Sequence, residues 1–458
     1  MDPREITGLA GLGVLLLLIL LRIPVVVAMI AVGLGGSYAL SVVAPFLRFE
    51  PYLRQFKSML WESMASYDLT IIPLFVLMGY VAGFSGLSRD LFDGIQAMIG
   101  RMRGGLAISA IVACAGFGAV CGSSAATASA MGRIALPELK KGGYAPGFSA
   151  GVLAAGGTLG ILIPPSVALV IYGVIVEASI LDLFRAAILP GLIAVVFFVA
   201  VIALYTRLRP EAAPVIPPMP GPERLRALLR FLPVAGIFGA LIFGLAFGIF
   251  TPTPAAAIGA LAVILYGAAR RLITGDGLTW GGLREAVLST AVTSGMIYAI
   301  LFGAAVLTSF FTRSGLPMGL ADWAATARID PYLMLVICLG CLIVMGCFLE
   351  SLSMILVIVP FLWPVMLAVN GGEYVSADQA AFGLGPDELK IWFGILMLIV
   401  IELGLITPPV GMNVFIIGAI TPSTPMGSIF AGASMFFAAE VVRVGLLILF
   451  PAILFVLI

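Results

Sequence analysis

The sequence predicts an all-α polytopic membrane protein, an inverted repeat containing two re-entrant helical hairpins and two helices broken at Pro-Pro pairs. Three observations predict it. The chain has 458 residues, of which 62% are hydrophobic and 10% charged. A soluble domain carries about 25% charged residues, so lipid has to be the solvent for most of this surface. Uncharged stretches of span length recur along the whole chain. Short motifs then repeat, in the same order, in its two halves.

The spans are read as the uncharged stretches. They are Ile6–Leu21, Ile23–Leu47, Leu69–Ser88, Gly104–Gly132, Gly142–Val176 and Ala186–Thr206 in the first half. The second half has Phe231–Ala269, Ala286–Thr312, Pro331–Leu349, Ser351–Gly372, Ile391–Ile401, Leu403–Ala439 and Val444–Ile458. Phe231–Ala269 is too long for one crossing of roughly 20 residues and is expected to divide at Thr251-Pro252-Thr253-Pro254. The first apolar run meets the second with no small-residue cleavage site between them, so it is expected to be a span and not a cleaved leader.

Composition also excludes chemistry. The formal charge is +1, so nucleic acid is not an expected partner. There is no histidine, which removes the commonest general base and metal ligand. Cys114, Cys121, Cys338, Cys341 and Cys347 lie in apolar runs and are expected to be buried small hydrophobes. No cofactor and no metal other than sodium is expected.

Two segments do not fit simple spans. Gly104–Gly132 runs into the cluster Gly122-Ser123-Ser124-Ala125-Ala126-Thr127 and returns along an arm that ends at Lys140 and Lys141. Pro331–Gly372 carries Glu350-Ser351-Leu352-Ser353 at its centre. Each reads as a hairpin whose tip stops near mid-membrane, where non-helical backbone must face protein or a water-filled cavity. Gly86–Met102 and Gly315–Ala327 are amphipathic and read as arms joining a moving block to a fixed one, or equally as interfacial helices with no role in motion.

The repeat is read from two matches. Gly160-Ile-Leu-Ile-Pro-Pro165 corresponds to Gly404-Leu-Ile-Thr-Pro-Pro409, and Ser85-Gly86-Leu87 to Ser314-Gly315-Leu316. An odd number of crossings between equivalent points inverts the second copy, the arrangement of many secondary transporters. The expected division is a first repeat over 1–209, a linker over 210–229 and a second repeat over 230–458. Hairpins are expected near 104–139 and 331–370, and broken helices near 146–178 and 389–420.

The Lys/Arg bias sets the expected sidedness. Arg22, Arg89, Arg101, Arg103, Lys140, Lys141, Arg207, Arg209, Arg224, Arg226, Arg230, Arg270 and Arg271 fall on one side, read as cytoplasmic. Arg48, Arg54, Lys57, Arg313 and Arg328 fall on the other.

The candidate site follows from the breaks. A Pro-Pro pair donates no backbone hydrogen bond and clashes with the preceding turn, so the helix must open there. Opening exposes half-helix ends, which favour anions at their N-termini and cations at freed carbonyls. Thr158 sits before the first break, while Thr407 and Asn413 add side-chain oxygens at the second. Gly122, Ser123, Ser124 and Thr127 offer hydroxyls and close backbone approach at the first tip. Intramembrane acids are costly, so Glu350 and Glu402 are read as functional, in cation binding or gating, with a structural pair to Arg443 as the alternative for either. Arg185 and Arg443 are read as headgroup anchors.

Together these segments resemble the large, DctM-type subunit of TRAP transporters. The resemblance rests on Gly122–Ala128, Gly142-Gly143-Tyr144, Gly157–Ser166, Phe393-Gly394-Ile395 and Glu402–Phe415, in the family's order. It implies an ion-transporter-superfamily fold with a scaffold and an elevator-like transport domain, in a bacterial inner membrane. It implies sodium coupling, a small organic-acid substrate, a separate small four-helix membrane subunit and a periplasmic substrate-binding protein. Carried over, substrate contact is expected at Ser123, Ser124, Thr127, Pro165, Ser166, Ser351, Ser353 and Asn413. Sodium contact is expected at Gly122, Ser123, Thr158, Gly160, Glu350, Gly404, Thr407, Pro408 and Gly411. A stand-alone sodium–dicarboxylate symporter of the same superfamily is the alternative. An intramembrane enzyme is disfavoured, because no nucleophile has a visible base.

Overall fold

The computed structural model describes residues 2–217, 219–327 and 329–458; Arg328, one of the cations on the minority side, lies outside them. Every regular element among the described residues is helical. Eight helices are long and apolar enough to cross a membrane, or up to ten if each of two bent pairs counts as one span. The chain is a multi-pass membrane protein.

The first half opens with α1 (Pro3–Leu20), α2 (Val25–Val43), α3 (Phe49–Ala65) and α4 (Ile71–Ser85). Asp2 caps α1 by accepting from the Arg4 amide at 3.1 Å, while Glu5 reaches back to the Asp2 amide at 3.0 Å. An arm follows, α5 (Leu87–Ile99), bent 67° from α4. Then come the hairpin α6 (Gly105–Cys121) and α7 (Ser124–Lys141), the broken helix α8 (Pro146–Leu162) and α9 (Val167–Val176), and the span α10 (Ile180–Leu208).

The second half repeats the order. The spans α11 (Gly221–Ala246), α12 (Pro252–Thr274) and α13 (Trp280–Ser314) precede an arm, α14 (Leu316–Thr326). The hairpin α15 (Pro331–Gly346) and α16 (Ser351–Asn370) precedes the broken helix α17 (Pro386–Gly404) and α18 (Met412–Ile420). The chain ends in α19 (Met426–Leu449) and the short α20 (Ala452–Phe455).

The repeated Ser-Gly-Leu motifs make the same turn twice. Ser85 donates to the Ala82 carbonyl at 3.0 Å and accepts from the Leu87 amide at 3.2 Å. Ser314 donates to the Phe311 carbonyl at 2.7 Å and accepts from the Leu316 amide at 3.2 Å. Between them Gly86 and Gly315 take φ of 80° and 74°, a left-handed conformation that glycine adopts freely. Each turn joins one helix to the next, α4 to α5 and α13 to α14.

Several expected boundaries moved. Leu403–Ala439 is two helices, α18 and the first part of α19, and Val444–Ile458 is not a separate span. Glu440 and Arg443 suggested a boundary there. They lie one turn apart on α19 and pair with each other, so the helix continues through them. The short stretch Ile391–Ile401 is the centre of α17, whose start is set by Pro386 at its first turn and Gly385 before it. The amphipathic α3 was not anticipated. Cys341 is exposed, whereas the other cysteines are buried.

Candidate functional site

The two hairpin tips meet the two breaks. Gly122, at the first tip, has φ of 60°, and a Cβ there would lie 3.5 Å from the Pro165 carbonyl oxygen and 3.4 Å from the Val167 amide nitrogen. At the second tip, the Cys347 thiol donates to the Pro408 carbonyl at 3.4 Å. Both Pro-Pro bonds, Pro164-Pro165 and Pro408-Pro409, are cis.

Glycines make this approach close enough. A Cβ on Gly118 of α6 would sit 2.3 Å from the Gly160 Cα of α8. A Cβ on Gly404 of α17 would sit 2.5 Å from the Gly346 carbonyl carbon of α15. In each half, then, the incoming hairpin helix touches the helix before the break through a Gly–Gly contact that admits no side chain, as small residues allow in membrane helix packing.

Glu402 ties the halves together. It is buried, 4% exposed, on α17 two residues before Gly404. Its Oε2 accepts from the Ser124 hydroxyl and its Oε1 from the Ser351 hydroxyl at 2.8 Å. Ser124 and Ser351 are the first residues of α7 and α16, the outgoing helices of the two hairpins. One carboxyl group therefore bonds both tips. Sequence reading allowed a pair between Glu402 and Arg443; the arginine instead bonds Glu440 and the Pro190 carbonyl, the latter at 2.9 Å. Arg443 is buried, so it is not a headgroup anchor. Arg185 lies near Asp182, at 3.7 Å.

Several expected hydroxyls are committed to their own helices. Ser123 accepts from the Ala126 amide at 3.5 Å and Ser166 from the Leu169 amide at 3.3 Å, capping α7 and α9. Thr158 donates to the Ala155 carbonyl at 2.6 Å and Thr407 to the Leu403 carbonyl at 2.6 Å. The two threonines have spent their hydrogens and keep lone pairs, while the two serines have each spent a lone pair and keep their hydrogens. Ser353 is buried on α16, one turn face away from the Glu402 bond, and Glu350 caps the start of α16 through its carbonyl, which accepts from Met354 at 3.0 Å.

Two oxygens are not committed. Thr127 Oγ1 and Asn413 Oδ1 are buried without a hydrogen-bond partner. They converge on α8. A Cβ on Gly160 would lie 2.6 Å from Thr127 Oγ1 and 3.2 Å from the Ser123 carbonyl oxygen. One on Gly157 would lie 3.0 Å from Asn413 Nδ2 and 3.2 Å from the Ser124 carbonyl oxygen. Asn413 Nδ2 donates to the Ala154 carbonyl at 3.4 Å, which turns its oxygen away from α8 backbone donors. An orphaned buried oxygen is costly unless something binds it. The set of hydroxyl, amide and carbonyl oxygens, with no basic group among them, suits a hard monovalent cation or the polar edge of a ligand. Gly411, φ 62°, lets the chain turn into α18, and the Asn413 amide donates back across the break to the Leu405 carbonyl at 3.1 Å.

Known proteins place this arrangement. The "C4-dicarboxylate TRAP transporter large permease protein DctM" of Pseudomonas aeruginosa is 32% identical over 398 residues, 87% of this chain and 86% of its own. The "Isethionate TRAP transporter permease protein DctMQ" of Oleidesulfovibrio alaskensis is 31% identical over 84% of this chain, which spans 57% of that longer protein. Among solved structures, the Alcanivorax borkumensis YdaH transporter shares the fold, with a TM-score of 0.60 at 14% identity over 87% of this chain and 89% of its own. Residues 12–453 match the family described as the tripartite ATP-independent periplasmic transporter, DctM component, and the chain belongs to that family.

Proposed function

We propose that this chain is the large transmembrane subunit of a sodium-coupled, binding-protein-dependent importer of small organic acids in a bacterial inner membrane. The observation that carries the reading is the Glu402 carboxylate held by Ser124 and Ser351. It joins two hairpin tips and a broken helix into one polar centre inside apolar walls. Sodium ions, as co-transported cargo, would be held by Thr127, Asn413 and the carbonyls of Ser123 and Ser124. The wider candidate set of Gly122, Thr158, Gly160, Glu350, Gly404, Thr407, Pro408 and Gly411 surrounds them. The acid would be met by Ser123, Ser124, Thr127, Pro165, Ser166, Ser351, Ser353 and Asn413. Relatives named for C4-dicarboxylate and isethionate support a small anion.

The halves 1–209 and 230–458 act as repeats, with 210–229 as a linker between them. The hairpins and broken helices move as a block against α1–α4 and α11–α13. An apolar cleft of about 800 Å³ between α13 (Leu301, Ala304) and α9 and α16 (Val174, Val359, Trp363) supports such sliding, because these facing side chains are apolar. A small four-helix membrane subunit and a periplasmic binding protein complete the system. The length by which the DctMQ relative exceeds this chain supports a second membrane component.

Uptake in proteoliposomes tests this. The chain and its small subunit are reconstituted, and labelled organic acids are offered with and without the binding protein under an inward sodium gradient. Uptake needing both supports the proposal. Sodium-driven uptake by the chain alone would make it a stand-alone symporter. For the moving block, cysteine pairs placed across the arm–scaffold boundary should trap two states; one cross-linking pattern indifferent to sodium and substrate would remove the elevator.

A further inference from the structure

A cavity of about 430 Å³ opens where α7 ends and α8 begins, far from the hairpin tips. Lys140, which helps line it, lies sixteen residues beyond Ser124 on α7, a distance of about 24 Å at the helical rise. The volume falls within the usual range for small-molecule sites. Its walls come from the end of α7 (Leu136, Pro137), Tyr144, the start of α8 and the Thr421–Thr424 turn after α18.

Two features of this cavity favour a negative charge. Lys140 forms no ion pair among the described residues, whereas its neighbour Lys141 is held by Glu138 at 2.7 Å. Ser149 Oγ, buried at 4% exposure and lining the cavity, has no hydrogen-bond partner. The Thr421 hydroxyl is already bonded to the Ile417 carbonyl at 2.9 Å and does not compete. No Asp or Glu lines the cavity.

We propose that this cavity is an oxyanion site for the transported acid, a second station reached after the hairpin-tip site on the face that bears Lys140. The acid group takes a charge-assisted bond from Lys140 and a hydroxyl bond from Ser149. The apolar wall of Leu136, Pro137 and Ile420 accepts its carbon skeleton. This rests on the functional reading above and names a second site for the same cargo. Phosphate-bearing lipid headgroups share the chemistry, and the test separates them.

Labelled succinate is titrated onto the chain with its small subunit in phospholipid-free detergent, in sodium buffer. Two sites per chain are expected. Lys140→Gln should weaken one of them about tenfold, and Ser149→Ala about fivefold, leaving the other unchanged, because a bond to a charged group is worth roughly 1.5–3 kcal/mol and a neutral one about 1. Glu402→Gln should weaken the other site and spare this one. In proteoliposomes Lys140→Gln should alter release on the Lys140 face and leave sodium dependence intact. One succinate site in wild type, or two that Lys140→Gln and Ser149→Ala leave untouched, overturns the proposal. So does a Lys140-dependent response to vesicles of anionic phospholipid with none to succinate, which would make the cavity a headgroup site. Failure of the functional reading shows separately, as wild-type protein with all partners that takes up no organic acid.

Discussion

The Ser351 hydroxyl donates to Oε1 of Glu402 at 2.8 Å, although the two residues stand on different helices of the second half and the other carboxylate oxygen is taken by Ser124 of the first half. A single buried carboxyl group thus reports on the position of both hairpins. Any motion that parts the tips from α17 must break one of these bonds or carry all three residues together.

That relationship makes the two serines interdependent. Ser351→Ala or Ser124→Ala leaves Glu402 one bond short, at a cost of about 1–3 kcal/mol for an unsatisfied buried polar group. The double variant leaves a buried carboxylate with neither, so the pair should lose more than the sum of the singles. Thermal unfolding of the purified variants measures this, and strict additivity would show that the bonds act independently. Glu402→Gln should lower uptake at least about tenfold while Ser434→Ala, exposed on α19, should not.

Glycine contacts make a second, graded prediction. Gly118→Ala and Gly404→Ala each force a methyl into backbone at 2.3 and 2.5 Å, and helices packed this closely have to separate. Both should lose several degrees or more of thermal stability. Gly340→Ala, on α15 with nothing within 4 Å of the added methyl, should be neutral or slightly stabilising through helix propensity. Equal tolerance of all three would mean the Gly–Gly contacts are not close in the folded protein.

The first arm is anchored by a buried ion pair. Arg270 of α12 donates to Asp90 of α5 through Nε at 2.6 Å, and its other nitrogen reaches the Asp276 carbonyl at 2.6 Å. Tyr266 donates to the same Asp90 carboxylate. The guanidinium also packs on the Gly86 turn, where a Cβ would lie 2.4 Å from it. Asp90→Ala would leave the arginine buried without its main partner, which costs about 3–5 kcal/mol. The expected result is a marked fall in unfolding temperature, with Asp90→Asn milder, since it keeps an acceptor. If both variants match wild type in stability and uptake, the arm does not depend on this anchor.

How much of this was legible beforehand depends on how local each signal was. The Ser-Gly-Leu turns were readable because the hydroxyl, the left-handed glycine and the next amide are consecutive residues. The hairpins and breaks were readable for the same reason: the Gly/Ser cluster at Gly122-Ser123-Ser124 and the two Pro-Pro pairs are local signals of a helix end. Glu402 was marked as costly, but its partners are 278 and 51 residues away, and no spacing rule reaches that far. Ser123 and Ser166 looked like ligands because a serine at a tip and a serine capping a helix are the same residue in sequence. The orphaned Thr127 and Asn413 oxygens could be told from the committed Thr158 and Thr407 only once the neighbouring carbonyls were placed. The amphipathic α3 gives no signal as an uncharged stretch, because Glu50, Arg54 and Lys57 fall within it.

Charge also misled at the C-terminal end, and the reason is testable. Glu440 and Arg443 looked like a span boundary, yet α19 runs through both and buries them at 4% and 2% exposure. The Arg443 Nε donates to Glu440 Oε2 at 2.9 Å and its Nη1 to the Pro190 carbonyl of α10 at 2.9 Å, so the pair also clips α19 to α10. Removing one partner strands the other in a low-dielectric setting, whereas replacing both with apolar residues removes the cost along with the bond. Arg443→Met should therefore be strongly destabilising, by about 3–5 kcal/mol, and Glu440→Met similarly so. The double variant Glu440→Met with Arg443→Met should recover much of that loss in thermal unfolding. If the double variant is as unstable as the singles combined, the contribution of the pair lies in the bond to the Pro190 carbonyl and the α10 contact, and charge neutralisation is not what keeps these residues buried.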